Sequence, residues 1–465
     1  MLAVALSTAV GLAAVKLESF QHQLKAALIV VALVAVALSA LRPRAGLFIL
    51  LLLSPFELKF YGTNSNEVLL VALAAVLALR IRFAAIPAWM SAGTIALVGG
   101  SFLAAVGAHN RSLALEGALH WTAAAILLLV ATTVLARSRD AGRIASTVIT
   151  ITAVVVAGFG FLQKAGIDAI VGAPFSAGLP NAFFAYYTVY AGFLALAGTL
   201  TTGEILISLE ARRYVRAGLL GGALVVMLAA LAESTARGGI VALVAGWLLL
   251  LVFNRRRGSV LGRAIIVLVL LSAVGYAVIP HSTIVTLEHR FATSNGSLGE
   301  DQTRFAIQSA GLRALRESPF GLGYGNFSYY VKSNVHSSHV QIAFFHAHET
   351  FIQIGLDAGW IGLGGFLLLI GATLLGVARR SRGGPAAVRA TAYAAALVGF
   401  LAQGLYDYLF YDLAFVIFFL VLIWGMTHEL AADAEPSPRQ RASAPGPSAA
   451  PGSPSAGVRA SGLRG

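Results

Sequence analysis

The sequence predicts an all-α, polytopic membrane protein with about 12–14 transmembrane helices and one large, partly helical outer loop. Three observations predict this class. The 465-residue chain is 58% hydrophobic and only 11% charged, whereas a soluble domain carries roughly 25% charged residues. Apolar runs recur along the chain, and many approach the roughly 20 residues that a membrane span needs. Basic residues collect in alternate loops between the runs, which is typical of cytoplasmic loops.

Fourteen apolar runs are candidates for spans, although several near the N-terminus are short for a full crossing. They lie at roughly 2–15, 26–41, 45–57, 67–79, 84–108, 118–136, 144–162, 182–201, 217–233, 238–253, 264–280, 359–377, 390–407 and 410–427. The first run has no basic residue before Lys16, so it lacks the start of a signal peptide.

The runs divide the chain into four parts. We expect an N-terminal transmembrane bundle at 1–280, an outer loop at 281–358 that carries the candidate active site, and C-terminal transmembrane helices at 359–430. The remainder, 431–465, is rich in Pro, Ala, Ser and Gly. Such a composition buries too little apolar surface to fold, so this part is predicted to be a disordered cytoplasmic tail.

The formal net charge of +13 reflects the predicted orientation of the chain. Six loops hold 18 of the 33 basic residues, and the short loops between them hold six, which are Lys16, Lys25, Lys59, Arg111, Lys164 and Arg237. The 18 are Arg42, Arg44, Arg80, Arg82, Arg137, Arg139, Arg143, Arg212, Arg213, Arg216, Arg255, Arg256, Arg257, Arg263, Arg379, Arg380, Arg382 and Arg389. Basic loops face the cytoplasm, so both termini are predicted inside and 281–358 outside. The charge therefore marks topology, and no nucleic-acid partner is expected.

The outer loop contains a helix pattern followed by a glycine-rich turn. Thr303 is placed to cap a helix over 303–318, and Pro319 is placed to stop it. FGLGYGNF at 320–327 can hold a phosphate by its amides, but a tight turn is favoured because no following helix is predicted.

Four histidines, His336, His339, His346 and His348, precede the next span. Their spacing fits no standard zinc motif, and the absence of cysteine excludes thiolate ligands, so no metal is predicted. The structural alternative is that the histidines are polar decoration of an interfacial loop.

A helix that extends back from the span to residue 346 would separate two faces. One face would carry His346, Glu349, Gln353 and Asp357, and the nearly opposite face would carry His348, Ile352, Gly355 and Gly359. A desolvated histidine favours the neutral imidazole, which can accept a proton from a hydroxyl. His348 is therefore the candidate base.

Two further polar features lie on the predicted outer face. Arg237 lies in the short turn STARGG, where its partner is either a lipid headgroup or a bound diphosphate, since guanidinium pairs bidentately with phosphate oxygens. YDYLFYD at 406–412 can contact an acceptor through Asp407 or Asp412, but an aromatic belt at the membrane interface is favoured.

Together these segments resemble the O-antigen ligase and O-antigen polymerase superfamily of bacterial envelope glycosyltransferases. HAHETFIQIGLDAGWIG, STARGG and TRFAIQSAGLRALRESPFGLGYGNF carry the resemblance, and GLPNAFFAYY at 178–187 is similar to the Pro-Asn segment of the family. The resemblance covers about 175–425 and is clearest over 300–365.

The resemblance implies a glycosyltransferase that moves a glycan from a polyprenyl (undecaprenyl-type) diphosphate to an acceptor hydroxyl. His348 would be the base, Arg237 and Arg304 would hold the diphosphate, and His346, Gln353 and Asp357 would support them. No cofactor or metal is implied. The acceptor would be a glycan, glycolipid or protein, and the site would face the periplasm or exterior from the bacterial inner membrane.

Two positions depart from the family pattern. Glu349 stands where the family usually has asparagine, so Glu349 would itself be a base or would orient His348. The family often has an arginine before the Pro-Asn segment, where residues 163–181 offer only Lys164.

The main alternative is a lipid-linked saccharide flippase or another transporter, and a non-catalytic scaffold is the lesser one. A flippase is expected to carry charged residues inside its spans. These spans are predicted to be almost charge-free, which favours an enzyme that works at the membrane surface. The sequence leaves ligase and polymerase both open.

Overall fold

The computed structural model describes residues 41–56, 59–60, 63–82, 86–167, 179–254, 281–292, 298–334, 346–380 and 384–434, together with 262, 265 and 266. Within these residues the chain forms fourteen α-helices. They are α1 (Pro43–Leu53), α2 (Ser65–Leu77), α3 (Ala88–Gly107), α4 (Arg111–Val134), α5 (Ala141–Lys164), α6 (Tyr187–Glu210), α7 (Tyr214–Glu233), α8 (Arg237–Asn254), α9 (His281–Ala292), α10 (Leu298–Glu317), α11 (Phe327–Asn334), α12 (Thr350–Arg380), α13 (Gly384–Gly404) and α14 (Leu413–Ala434). A 3₁₀ turn, Ala78–Arg80, follows α2, and two short strands, β1 (Lys59–Phe60) and β2 (Thr63–Asn64), pair antiparallel.

Nine of these helices are long and apolar enough to cross a membrane, namely α3 to α8 and α12 to α14. The helices α1 and α2, with 11 and 13 residues, are shorter than a full crossing requires. The predicted run at 2–15 and nearly all of the runs at 26–41 and 264–280 lie outside the described residues, as does the tail from 435 on. The polytopic all-α class is confirmed, while the total of 12–14 spans and the division into four parts stay predictions.

Glycines allow α3 and α12 to pack closely along their length. A Cβ on Gly100 would lie 2.3 Å from the carbonyl oxygen of Ala358, and one on Gly365 would lie 2.5 Å from that of Gly93. Small residues permit such approach between membrane helices, where van der Waals packing replaces the hydrophobic effect. The other half of the bundle places α13 against α6, α8 and α14.

The helix α12 is broken at Gly359, and the outer loop repairs the break. Gly359 has φ 66° and ψ −175°, so the helical hydrogen bonds are interrupted there. The carbonyl of Leu356 accepts instead from the amides of Leu322 and Gly323, at 2.6 and 3.1 Å, and the amide of Trp360 donates to the carbonyl of Pro319 at 3.0 Å. The glycine-rich turn therefore serves packing, because its amides satisfy backbone groups that the break exposes.

The outer loop differs from the predicted helix at its start. The helix α10 begins at Leu298, so Thr303 lies inside it and is not its cap, whereas its end at Glu317 agrees with the stop at Pro319. The prediction that no helix follows the glycine turn is wrong, since α11 begins at Phe327. A small core of Ile307, Ala310, Ala314, Leu315, Phe327, Val331, Ala347 and Leu356 binds α10 and α11 to the start of α12.

A buried ion-pair network joins four helices at the end of the bundle away from the outer loop. The Arg389 guanidinium, 7% exposed, donates from Nε to Glu204 Oε1 at 2.5 Å and from Nη1 to Glu429 Oε2 at 3.2 Å. Arg216 donates to the other Glu204 oxygen at 3.0 Å. The prediction that the spans are almost charge-free is therefore wrong at this end of the bundle. Arg216 and Arg389, which were predicted to lie in loops, lie in α7 and α13. These arginines can lie inside helices because carboxylates pair with them.

Candidate active site

The helix α12 starts later than the predicted one, and this changes how the two histidines face each other. Glu349 is the residue before the first helical residue, Thr350, and its carboxylate accepts from the amide of Ile352 at 2.5 Å. An acidic side chain in this position satisfies an orphan amide and faces the positive end of the helix. His348 has φ 51°, outside the helical region. The prediction that His346 and His348 lie on opposite faces of one helix is therefore wrong.

The two histidines instead lie side by side. Their ring centroids are 4.2 Å apart, and the His348 amide donates to His346 Nδ1 at 3.3 Å. Ala347 between them is fully buried in the small outer core, and its amide donates to Gln353 Oε1 at 2.7 Å. Gln308 on α10 donates to the His348 carbonyl at 3.1 Å. These contacts fix a backbone conformation that costs free energy for a residue with a Cβ, a feature that is typical of functional sites.

Asp407, in the connection between α13 and α14, faces the His348 ring. Its Oδ1 lies 3.5 Å from His348 Nδ1, and it also accepts from Thr188 at the start of α6. Burial alone would raise the pKa of Asp407, but the contacts with His348 and His346 outweigh burial and hold this pKa below its ordinary value. An ionised Asp407 beside Nδ1 favours the tautomer that leaves Nε2 of His348 as the proton acceptor.

His346 is held as a neutral ring. Burial and the neighbouring His348 lower the pKa of His346 to about 4, and Arg304 contributes in the same direction. Burial also raises the pKa of Glu349, against the opposing effect of its backbone hydrogen bonds at the helix start.

The supporting residues Gln353 and Asp357 form one hydrogen-bonded row. Gln353 Nε2 donates to Asp357 Oδ1 at 2.8 Å, and the hydroxyl of Tyr408 lies 3.2 Å from Asp357 Oδ2. The predicted polar stripe is confirmed for this pair. Tyr408 is only 2% exposed, so the aromatic-belt interpretation of the segment 406–412 is wrong for this residue.

Arg304 approaches the connection that carries Asp407, and the helix that Arg237 begins packs on Gln403 just before this connection. The Arg304 guanidinium lies 4.7 Å from the centre of the Tyr406 ring, in a cation–π contact. Arg237 is the half-buried first residue of α8. The next residue, Gly238, packs against Gln403, whose carbonyl accepts from the Asp407 amide at 3.0 Å. The amides at a helix start and a guanidinium beside them are both groups that can bind an anion.

Lys164, the only basic residue offered in place of the family arginine, is paired with a carboxylate. Its Nζ lies 3.3 Å from Oε2 of Glu233, the last residue of α7, just before the turn that leads to Arg237. The Pro-Asn segment is held by Gln163, which accepts from the amides of Asn181 and Ala182 at 3.0 and 2.7 Å.

A metal ion has a geometrically possible set of ligands at this site. Single donor atoms of His346, His348 and Asp407 lie within 4.8 Å of one another. The same three residues also interact directly, through the His348–Asp407 contact and the bond to His346 Nδ1, so their arrangement does not require a metal. His336 and His339 lie outside the described residues.

Asp407, for which the sequence favoured a place in an aromatic belt, lies beside the candidate base in the structure. The available signal was the carboxylate itself, because a charge near the membrane needs a specific partner. The partner itself could not be identified from the sequence, since the contact joins distant segments.

Comparison with known protein families adds information on the family of the chain. Residues 222–367 match the family model described as O-Antigen ligase, a range that contains Arg237, Arg304, His346, His348 and Glu349. No curated protein sequence matches the chain. The family match confirms the superfamily that the motifs predict, and the nine apolar helices agree with a multi-pass membrane protein. A ligase- or polymerase-like role in envelope polysaccharide assembly follows.

Proposed function

Because residues 222–367 carry an O-antigen ligase domain, we propose that this membrane protein transfers a glycan from a polyprenyl diphosphate carrier to an acceptor hydroxyl. The acceptor is a glycan, a glycolipid or a protein. The enzyme works at the outer face of the bacterial inner membrane, with its site towards the periplasm or exterior. Ligase and polymerase activities share this chemistry and differ only in the acceptor.

The observation that carries the proposal is the His348–Asp407 pair, placed between two arginine-bearing elements. His348 Nδ1 faces Asp407 Oδ1 at 3.5 Å, Arg304 packs on Tyr406, and Arg237 begins the helix that packs on Gln403. One segment, residues 403–412, which comprises the end of α13 and its connection to α14, thus links a candidate base to two elements that bear candidate phosphate ligands.

The proposed reaction is a single displacement at the anomeric carbon. The acceptor oxygen forms a bond to this carbon while the bond from the carbon to the diphosphate oxygen breaks. Nε2 of His348 takes the proton of the acceptor hydroxyl, and Asp407 stabilises the imidazolium that forms. The carrier diphosphate leaves with the bonding electron pair, and Arg237 and Arg304 offset its negative charge. In this scheme two guanidinium groups supply the charge that a metal would otherwise supply, so no metal takes part.

Glu349 has a different role in this scheme from that of a base. Its carboxylate is engaged by the first amides of α12, so we assign it the orienting role that was one of its two predicted roles. Glu349 fixes the start of α12, and the start of α12 in turn fixes the backbone of His348. Gln353 and Asp357 support the same segment from within α12.

The test is glycan transfer from the purified polyprenyl diphosphate glycan by protein in lipid nanodiscs. We expect His348→Ala to lower kcat by about 100- to 10,000-fold, as loss of a general base does. Arg237→Ala and Arg304→Ala should each lower transfer by about 100-fold or more, as loss of a charge-stabilising donor does. Matched controls are His281→Ala and Arg313→Ala, exposed residues of the outer helices α9 and α10.

Two outcomes would contradict the proposal. Full transfer by well-folded His348→Ala would exclude His348 as the base, and loss of wild-type transfer on adding EDTA, restored by a divalent metal, would exclude the metal-free scheme. Movement of the lipid across the bilayer without any transfer would favour the flippase instead.

A further inference from the structure

A row of aromatic rings extends from the candidate base towards the surface. The His346 ring, which touches His348, stacks parallel on Tyr411 with centroids 5.3 Å apart and an interplanar angle of 5°. Tyr186 then meets Tyr411 edge to face at 5.6 Å. We refer to Tyr186 and Tyr411 as the tyrosine pair.

Tyr186 is the exposed end of this row. Its side chain is 51% exposed, whereas Tyr411 is half-buried and Tyr408 behind it is 2% exposed. Exposure of an aromatic face therefore increases with distance from His348 along one continuous set of ring contacts. A tyrosine of an interface belt needs no such connection to catalytic groups.

The segment before Tyr186 is anchored more firmly than a lipid-facing side chain requires. Asn181 is fully buried, bonded to Gln163, and donates to the carbonyl of Phe184 at 2.7 Å. Phe183 and Phe184 are buried among rings of neighbouring elements. The same turn of α6 that follows Tyr186 contains Thr188, which contacts Asp407. The exposed ring and the candidate catalytic pair therefore share one rigid support.

From this arrangement we infer that the tyrosine pair binds a pyranose ring of the glycan next to the bond that is made or broken. The inference rests on the proposed function and names its sugar subsite. A pyranose presents a face of C–H groups that packs on an aromatic ring. The tyrosine pair contributes no cationic group of its own, which suits a sugar rather than a diphosphate. The sugar belongs either to the donor or to the acceptor.

Two lipids are compared, so that a failure of this inference can be distinguished from a failure of the proposed function. One is the glycan-bearing polyprenyl diphosphate extracted from producing cells, and the other is sugar-free undecaprenyl diphosphate. Binding of each is measured for wild type, Tyr186→Leu, Tyr186→Phe and the matched control Tyr214→Leu. Tyr214 is 66% exposed and begins α7, next to the far end of α6. Steady-state transfer with varied donor and varied acceptor is measured on the same proteins.

If the sugar is the donor's, Tyr186→Leu weakens binding of the glycan-bearing lipid about tenfold, as truncation of a contacting aromatic does. Binding of the sugar-free lipid stays unchanged. If the sugar is the acceptor's, Tyr186→Leu raises the acceptor KM about tenfold, with kcat within about threefold of wild type. In both cases Tyr186→Phe stays close to wild type, because the ring remains.

The inference is overturned if Tyr186→Leu alters neither donor binding nor acceptor KM. It is also overturned if binding of the sugar-free lipid falls equally, since that would indicate a lipid contact or a folding defect. If folded wild type binds neither lipid and transfers nothing, the proposed function fails and the sugar subsite fails with it. Normal wild-type transfer with an unaffected Tyr186→Leu protein removes the subsite alone.

Discussion

Among single residues, Glu349 lies next to the candidate base but makes the contacts of a helix cap. Its carboxylate accepts from the Ile352 amide, and its carbonyl accepts from the Gln353 amide at 3.0 Å. The family position usually holds asparagine, which is a preferred N-cap residue. Both residues therefore satisfy the same requirement, since each places a side-chain oxygen over the first amides of α12.

The cap interpretation predicts a specific order of substitutions. Glu349→Asn should keep kcat within a few-fold of wild type, because the amide oxygen can still accept from the helix start. Glu349→Ala should lose about 0.5–2 kcal/mol of stability, the usual cost of a lost cap. Transfer kinetics and thermal unfolding of the two variants check this. A large fall in kcat for a stable Glu349→Asn protein would assign Glu349 as a base.

The lowered pKa of His346 predicts how the stability of the folded protein depends on pH. Its pKa is lowered from 6.5 to about 4 in the folded protein, so between these values the unfolded chain binds a proton that the folded chain does not. Stability contributed by the neutral ring is thus present above pH 6.5 and is lost as the pH falls towards 4. At pH 5 the loss is about 2 kcal/mol.

The measurement is thermal unfolding in nanodiscs at pH 7.5 and pH 5.0. We expect the unfolding temperature of wild type to fall on acidification, and His346→Gln to show a smaller fall because glutamine does not titrate. Equal shifts for the two proteins would show that other groups control the acid response.

Among the secondary-structure elements, the break in α12 connects the outer loop to the membrane bundle. The first two turns of α12 position His348 and the Gln353–Asp357 row, while the part after Gly359 spans the bundle. The turn at 318–323 lies against the break and supplies the amides that satisfy Leu356. The direction of the first two turns, and with it the site, depends on this turn.

A pair of glycines in α12 tests this dependence. A Cβ on Gly359 would lie 2.6 Å from the Phe320 backbone and would adopt an unfavourable positive φ. We expect Gly359→Ala to cost on the order of 1–3 kcal/mol and to lower transfer. Gly364→Ala is the matched control, since nothing lies within 4 Å of its Cβ, and it should be neutral or slightly stabilising. Similar behaviour of the two variants, by thermal unfolding and transfer, would contradict a role for the break.

The sequence predicted the elements better than it predicted their ends. Nine of the predicted apolar runs coincide with described helices that are long and apolar enough to cross a membrane, because lipid requires about 20 apolar residues for each helix. The start of α12 was missed because glutamate is not a standard cap, and that error placed His346 and His348 on opposite faces. The ion pairs of Arg389 were missed because the partners Glu204 and Glu429 lie on other helices, and pairing across helices leaves no local pattern.

At the scale of the whole molecule, the polar groups divide between two ends of the bundle. The starts of α6, α8 and α12 meet the segment 403–412 at one end, where the outer loop also packs through the bond between Asn110 and Asn326. The other end holds the Arg389 network. Because the charges of that network pair with one another, it stabilises the bundle and gives little support to a transport path.

The basic loops predict which side of the membrane each end of the bundle faces. Because the chain has no cysteine, single introduced cysteines can test this topology. Ser333 is exposed on α11 in the outer loop, and Ala136 is exposed after α4, beside Arg137 and Arg139. Basic residues collect on the cytoplasmic side, so a membrane-impermeant maleimide should label Ser333→Cys in intact spheroplasts. Ala136→Cys should be labelled only after permeabilisation. The wild-type protein gives the background, and each variant must retain transfer to count. The reverse labelling pattern would place the candidate site in the cytoplasm, where a glycan presented at the outer leaflet could not reach His348.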